Sequence, residues 1–382
     1  MNKKIRENKE LPREHPVLIV IRVVLGLVFI FSSVMKGIDP MGTAYRVEDY
    51  LGAYNMYWLD DYNLFISFFV IGIEFLIGVA LLFKLKPRLA SLGVFLIMIF
   101  FTVITYIDAK ENLVPDCGCF GDAITITPWQ TFYKNIILII LAAIVFFARR
   151  SLYARMKGWL QWVLLIFFAL AYGWFMSYNF NHLPIIDFRD WKEGNDMKSV
   201  GDDKSVTYLI YRNKETGEEK EYISPDYPWR DSVWMSRWEF VDQRTEVIEA
   251  LRKHNLIIED FKGNNYTKAI IENSSYTFLL ITPDIEKANG KAMITANELM
   301  ESTANHDVNF VMITASVPET LAKYREVYKL TYAIFLADGT ELKAMIRSNP
   351  GLILMKDGVV IEKWHYNDFP SSWREANRDI NQ

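Results

Sequence analysis

The two cysteines of this chain, Cys117 and Cys119, stand one residue apart in Pro115-Asp116-Cys117-Gly118-Cys119-Phe120-Gly121-Asp122, and the chain has no others. Thiolates attack disulfides and bind soft metals, so a pair within one turn is a candidate for either chemistry. A disulfide across one residue needs the two Cα atoms within about 4.4–6.8 Å, and Gly118 removes the Cβ that would oppose so sharp a turn. The ring would be small and strained. Strained bridges tend to be the labile ones, whereas bridges made for stability usually close longer loops. A redox pair, a local staple and half of a metal site all remain open. The metal reading is short of ligands, since a closed zinc site takes four and no histidine lies nearby in the chain.

What must position this pair is a membrane. The chain is 51% apolar with a formal charge of -4, but its apolar residues concentrate in the first half. Val17 to Met35, Leu64 to Phe83, Leu89 to Ile107, Phe132 to Ala148 and Trp159 to Tyr178 each approach the ~20 residues that cross a bilayer. The first contains Arg22 and no small-residue cleavage site follows it, so it reads as a span and not as a removed leader. Basic residues gather at Lys3, Lys4, Arg6, Lys9 and Arg13, at Lys84, Lys86 and Arg88, and at Arg149, Arg150, Arg155 and Lys157. All three clusters fall on one side of the membrane. The loops on the other side carry only Lys36, Arg46 and Lys110, so the positive-inside bias predicts a cytoplasmic N-terminus. Five crossings then place the cysteine loop and the C-terminal half outside the cytoplasm, where disulfides persist.

Charges inside the spans come next. Glu74 falls near the middle of the second span, where an ionised side chain costs at least ~2.5 kcal/mol unless paired or facing a cavity. Helical rise counted from the cytoplasmic ends puts Arg22 within reach, which predicts an ion pair between Arg22 and Glu74 that locks two helices together. The functional alternative is a proton or quinone site. In it Glu74 takes up the proton released by dithiol oxidation, and Lys36, Tyr106 and Asp108 complete the site near the outer surface.

Beyond Tyr178 some two hundred residues remain, enough for a separate core. Ile185-Ile186-Asp187-Phe188 and Ile258-Glu259-Asp260-Phe261 read as similar strand ends. From Tyr276 the pattern is regular: strand Tyr276 to Ile281, helix Met293 to Asn305, strand Phe310 to Thr314, helix Glu319 to Tyr328, strand Tyr332 to Leu336. Such alternation predicts an α/β layer fold. Asn349-Pro350 then leads into a hairpin from Leu352 to Trp364, turning at Lys356-Asp357-Gly358.

Gly26, Phe29, Ser33, Lys36 and Asp39-Pro40 at the first span, Glu74 and Gly78 in the second, and Cys117-Gly118-Cys119-Phe120-Gly121 make the membrane half resemble the DoxX family, in its MauE-like branch. The resemblance covers roughly Val17 to Ala148. It implies a four-helix membrane unit in quinone-linked or disulfide-linked redox work. The last hundred residues are similar to the thioredoxin fold in element order and in Asn349-Pro350, where that fold keeps a cis-proline. They depart from it at Thr282-Pro283-Asp284-Ile285-Glu286, which stands where the catalytic Cys-x-x-Cys belongs. A thioredoxin-like domain without thiols cannot exchange disulfides itself. By resemblance, Thr282, Pro283, Asp284, Asn349 and Pro350 form a partner-binding face. The combination is similar to chains of the Bacteroidetes type, which would make the membrane the cell inner membrane and the outer side periplasm.

The resulting fold class is an all-α membrane bundle, DoxX-like with four helices plus a fifth span, followed by an extracytoplasmic α/β thioredoxin-like domain. The expected division is a cytoplasmic tail over 1–16, the four-helix domain over 17–148, and a cytoplasmic loop with the fifth helix over 149–180. A β-rich connecting region follows over 181–265, then the thioredoxin-like domain over 266–382. No phosphate-binding glycine loop, serine triad or His-Glu-x-x-His motif appears, and the mixed charge runs Lys214 to Lys220 and Trp238 to Arg244 give no nucleic-acid surface. The tryptophans Trp58, Trp129, Trp159, Trp162 and Trp174 read mainly as interfacial anchors. The function expected is a thiol-disulfide or quinone-linked relay through Cys117 and Cys119, with the lipid bilayer, a separate extracytoplasmic redox protein and a quinone as partners. The rival is a non-catalytic docking or assembly module with the cysteines as a staple.

Overall fold

A computed structural model describes residues 14–111, 113, 121, 124, 126–199, 204–224, 226–228, 230–248 and 254–380. Cys117 and Cys119 lie outside the described residues. The chain divides into two compact units, Met1–Arg189 with Trp364–Asp368, and Asp190–Lys363 with Phe369–Gln382.

The first unit is helical: α1 (Pro16–Ile38), α2 (Pro40–Ala53), α3 (Asn63–Leu82), α4 (Pro87–Glu111), α5 (Pro128–Phe147) and α6 (Gly158–Asn181). Among the described residues, all of these but α2 form helical stretches long and apolar enough to cross a membrane, five in all, so the chain is a multi-pass membrane protein. Proline starts four of the helices at a position where its missing N–H costs nothing. The break between α1 and α2 is local chemistry. Asp39 cannot stay helical before Pro40, and its carboxylate accepts a hydrogen bond from Gly42 N at 2.8 Å to cap the next helix. Thr127 and Gln130 form a reciprocal capping box that starts α5.

Helices α1 and α3 meet backbone to backbone. A Cβ on Gly26 would lie 3.0 Å from Gly78 O, and a Cβ on Gly78 would lie 2.9 Å from Ile30 N. Because lipid is as apolar as leucine, close approach of this kind is what gives membrane helices a preferred partner. Around this crossing Leu25, Phe29, Val79, Leu81, Val94, Met98, Ala142 and Val145 pack into one core. On α6, Tyr172 stacks on Phe75 with ring centroids 3.9 Å apart and donates a hydrogen bond to Ser33 O.

The second unit carries two sheets. Strands β1 (Lys204–Asn213), β2 (Glu219–Ile223) and β3 (Trp238–Ile248) form an antiparallel sheet in the order β2-β1-β3. The larger sheet contains β4 (Tyr276–Thr282), β5 (Val308–Thr314), β6 (Ala333–Leu336), β7 (Gly351–Lys356) and β8 (Val359–His365), in the order β6-β5-β4-β7-β8. Helices α7 (Gly290–Thr303) and α8 (Pro318–Tyr328) make the crossovers that the parallel pairs β4/β5 and β5/β6 require, and β7 runs antiparallel to β4. Phe278, Leu279, Leu280 and Ile281 are fully buried at the sheet's centre. Asp357 and Gly358 both take positive φ, 49° and 75°, the geometry that a two-residue hairpin between twisted strands needs. A central parallel strand, a crossover helix and an antiparallel hairpin entered through cis Asn349-Pro350 make this a thioredoxin-like α/β domain.

Candidate functional site

The buried charges of the bundle are paired, but not as the sequence predicts. Glu74 bonds to Lys36 Nζ at 2.7 Å through one carboxylate oxygen and to Ser32 Oγ at 2.7 Å through the other. Arg22 instead meets Glu14 at 3.0 Å and donates to the carbonyls of Leu81 and Leu82. Glu14 also takes Lys84 Nζ at 2.6 Å. The predicted pair between Arg22 and Glu74 is therefore incorrect, and the helix register explains why. Contact of Gly26 with Gly78 sets Arg22 level with Leu82, eight residues below Glu74, or about 12 Å along the axis. Lys36 is on the opposite side of Glu74 in depth. Its chain reaches back toward the N-terminus of α1, the direction in which helical side chains lean.

A cavity of about 350 Å³ opens beside this ion pair. Lys36, Ser32 and Glu74 contribute one polar side, Arg46 and Lys134 two further cationic side chains, Thr105 and Asn135 a polar side on α4 and α5, and Phe101 a wall, with Lys36 Nζ 5.4 Å from the Phe101 ring centre. Asn135 Nδ2 donates to Thr105 Oγ1 at 3.1 Å. Helix α2 covers the cavity and supplies Thr43, whose buried Oγ1 has no hydrogen-bond partner among the described residues. Most of the remaining lining is apolar.

Of the polar residues expected here, Lys36 and Glu74 come together at the cavity. Tyr106 and Asp108 do not line it: Tyr106 is exposed against Phe132, and Asp108 is fully buried elsewhere in α4. Sequence reasoning missed Ser32, Thr43, Thr105 and Asn135. Two signals existed: Ser32 and Lys36 sit four apart on one helical face, and Asn135 is an amide within an apolar span. Gly121 provides the described link to the cysteine loop. Its φ is +60°, and a Cβ there would lie 3.2 Å from Met35 O, so this glycine packs on the end of α1 beside Lys36.

In the α/β domain the five expected partner-binding residues cluster at one end of the sheet. Asn349 Nδ2 donates to Asp284 O at 2.7 Å, Asn349 O accepts from Asn289 N at 3.1 Å, and Ser316 Oγ accepts from Ile285 N at 3.0 Å. Thr282 is buried at the end of β4, ahead of Pro283, and Pro350 begins the return into β7. A cleft of about 390 Å³ lies between Ser316 to Pro318 and Leu336 to Asp338, at the C-terminal ends of β5 and β6. Clefts at this end of parallel strands are common ligand positions in α/β sheets. No group of three or more metal-ligating side chains occurs among the described residues.

Residues 14–148 match the family model described as Methylamine utilisation protein MauE. Protein TlpB of Flavobacterium psychrophilum is 28% identical over 130 residues, which cover 33% of this chain and 35% of that protein. The chain thus spans little more than a third of this relative's length. A solution structure of a proposed protein disulfide isomerase from Bacteroides thetaiotaomicron is 15% identical with a TM-score of 0.26, covering 33% of this chain and 81% of its own. A crystal structure of a cysteine-to-serine mutant of PrxQ from Xylella fastidiosa is 11% identical with a TM-score of 0.23, covering 34% and 86%.

Proposed function

We propose that this protein is a membrane component of a thiol-disulfide relay, in which Cys117 and Cys119 exchange electrons with a separate redox protein on the extracytoplasmic side of the inner membrane. The observation that carries this reading is the position of Gly121, two residues after Cys119, on the end of α1 beside the buried Lys36–Glu74 pair. Those cysteines are also the chain's only thiols, so any exchange must pass through them. In the exchange, a thiolate at one cysteine attacks the partner's disulfide to form a mixed disulfide. The second cysteine then displaces the partner, leaving the partner reduced and Cys117–Cys119 oxidised; in the reverse direction a partner dithiol attacks the Cys117–Cys119 disulfide, leaving the partner oxidised and the pair reduced.

The thioredoxin-like domain contributes binding without chemistry. With Thr282-Pro283-Asp284 in place of a dithiol, the face built from these residues and Asn349-Pro350 holds the partner's backbone. Tethering the partner to the chain that carries the thiols raises its local concentration. The DoxX-type assignment of the bundle and the cytoplasmic N-terminus belong to the same proposal, the latter resting on the three basic clusters.

The midpoint potential of the cysteine pair in the purified full chain tests the relay. A value near about -200 mV supports exchange, whereas one below about -300 mV supports the rival staple, with the thioredoxin-like domain as a docking module.

A further inference from the structure

We propose that the loop between α3 and α4 and the loop between α5 and α6 form one site for the headgroup phosphate of an anionic membrane phospholipid, and that the bound lipid fastens α6 to the rest of the bundle. The proposal is independent of the relay and of which side of the membrane this end faces. One loop carries Lys84, Lys86 and Arg88, the other Arg149, Arg150, Arg155 and Lys157, and neither Phe83 to Arg88 nor Ala148 to Trp162 contains an aspartate or glutamate. Among the described residues, the one carboxylate at this end of the bundle is Glu14, which is taken by Arg22 at 3.0 Å and Lys84 at 2.6 Å. The remaining cations have no acidic counterpart there.

The two loops are tied side by side. Lys86 N donates to Gln161 Oε1 at 2.7 Å, Gln161 Nε2 donates to Met156 O at 2.7 Å, and a Cβ on Gly158 would lie 3.6 Å from Lys86 Nζ. Lys86 Nζ is 4.9 Å from the Trp162 ring centre, and the Arg88 guanidinium carbon is 5.6 Å from that of Tyr153. A ring orients a cation without cancelling its charge. Lys86 and Arg88 of one loop thus meet the segment of the other that carries Arg155 and Lys157, and the mutual repulsion of these cations is relieved by an anion shared between them.

Depth selects a lipid phosphate over a free one. Trp159 and Trp162 are 65% and 47% exposed on α6, as rings at the headgroup level of a bilayer are. Trp162 is also the ring beneath Lys86, so a phosphate held by Lys86 stands at that level, where basic groups between spans meet anionic headgroups. Below it Phe83 stacks on Phe168 with ring centroids 5.7 Å apart, an apolar path for acyl chains along α3 and α6. The role follows from the packing of α6. Toward its far end Tyr172, Met176 and Asn179 are buried, whereas between Gly158 and Ala171 the buried side chain is Gln161, with Leu164, Leu165 and Phe168 only partly covered. A phosphate bridging the two loops supplies a tie where α6 is held least.

The test is native mass spectrometry of the full chain in detergent, offered dioleoylphosphatidylglycerol or dioleoylphosphatidylcholine. The glycerol lipid should be retained about tenfold more than the choline lipid. Lys86→Gln with Arg88→Gln, and separately Arg155→Gln with Lys157→Gln, should each abolish that preference, whereas Lys110→Gln with Lys214→Gln, exposed lysines elsewhere, should leave it intact. Equal retention of the two lipids, or a preference kept by both loop variants, overturns the site. Displacement of the phosphatidylglycerol by inorganic phosphate at the same concentration shows a free-anion site and overturns the lipid. The fastening is read by amide hydrogen exchange in nanodiscs: exchange from Leu152 to Gln161 should slow by about tenfold when phosphatidylglycerol replaces half of the phosphatidylcholine, and should not change in either loop variant. Lipid retention without slower exchange supports the site and overturns the fastening.

Discussion

In the helical unit, α1 and α3 touch through Gly26 and Gly78 with no side chain between them, whereas in the α/β unit the central strand is walled by fully buried Phe278, Leu279, Leu280 and Ile281. The first contact depends on the absence of side chains and the second on their bulk. The reason is solvent. Water drives apolar side chains together, so an α/β domain is specified by a continuous hydrophobic strand. Lipid supplies little such drive, so the bundle is specified by close backbone approach and by polar pairs that must be matched. Chemistry divides along the same line. The chain's two cysteines fall within the sequence of the helical unit, together with the buried Lys36–Glu74 pair, while the thioredoxin-like domain contains no cysteine.

The largest effect expected from this division is chemical. Replacing either cysteine, Cys117→Ser or Cys119→Ser, should abolish electron exchange by about a hundredfold or more, with folded yield unchanged. Exchange rate and gel-filtration profile read on one preparation would check both halves, and exchange at an undiminished rate would overturn the relay.

Next is the buried pair. Glu74→Gln alone leaves Lys36 charged within the bundle and should destabilise by about 3–5 kcal/mol, as breaking a buried pair does. Lys36→Met with Glu74→Gln should recover most of this, while Arg22→Met with Glu74→Gln should not. Thermal denaturation of the three variants decides the pairing, and rescue by the Arg22 change would contradict the register set by Gly26 and Gly78.

In the α/β unit, Phe278→Ala should cost about 3–5 kcal/mol through the cavity it leaves. If the units are specified as differently as argued, the helical unit of this variant should unfold at the same temperature as in the unaltered chain. A lowered temperature would show that the bundle depends on the domain's core.

The smallest effect concerns pH. Burial pushes the His365 imidazole down to about 4, against the upward pull of the Asp368 carboxylate and with His182 adding to the depression. Between about 6.5 and about 4 the unfolded chain takes up a proton that the folded chain refuses. Stability should therefore hold above pH 6.5 and decline as pH falls toward 4. His365→Gln should flatten that part of the profile, measured by melting temperature against pH.

Much of the fold was legible before any coordinates. Apolar runs near twenty residues long located the spans, because a helix satisfies its own backbone in lipid and about twenty residues of it reach across. Strand and helix alternation from Tyr276 onward, with Asp357-Gly358 at the hairpin, located the α/β core to within a few residues. Helix α2 was not legible. Its fourteen residues mix apolar with charged and small ones and are too short for a span, and only the Asp39 cap and Pro40 mark its start. The cavity it covers was hidden for the same reason.

The sequence by itself determined that this chain crosses a membrane, that its only thiols sit in one short loop, and that Glu74 needs a partner. Each follows from local composition or from the cost of an unpaired charge in hydrocarbon. Only the tertiary structure decided that the partner is Lys36 and not Arg22, and that Ser32, Thr43, Thr105 and Asn135 share one cavity. Those choices depend on the relative slide of packed helices. One residue of slide moves a side chain by about 1.5 Å, and a glycine contact between two helices sets the slide without leaving any periodicity to read.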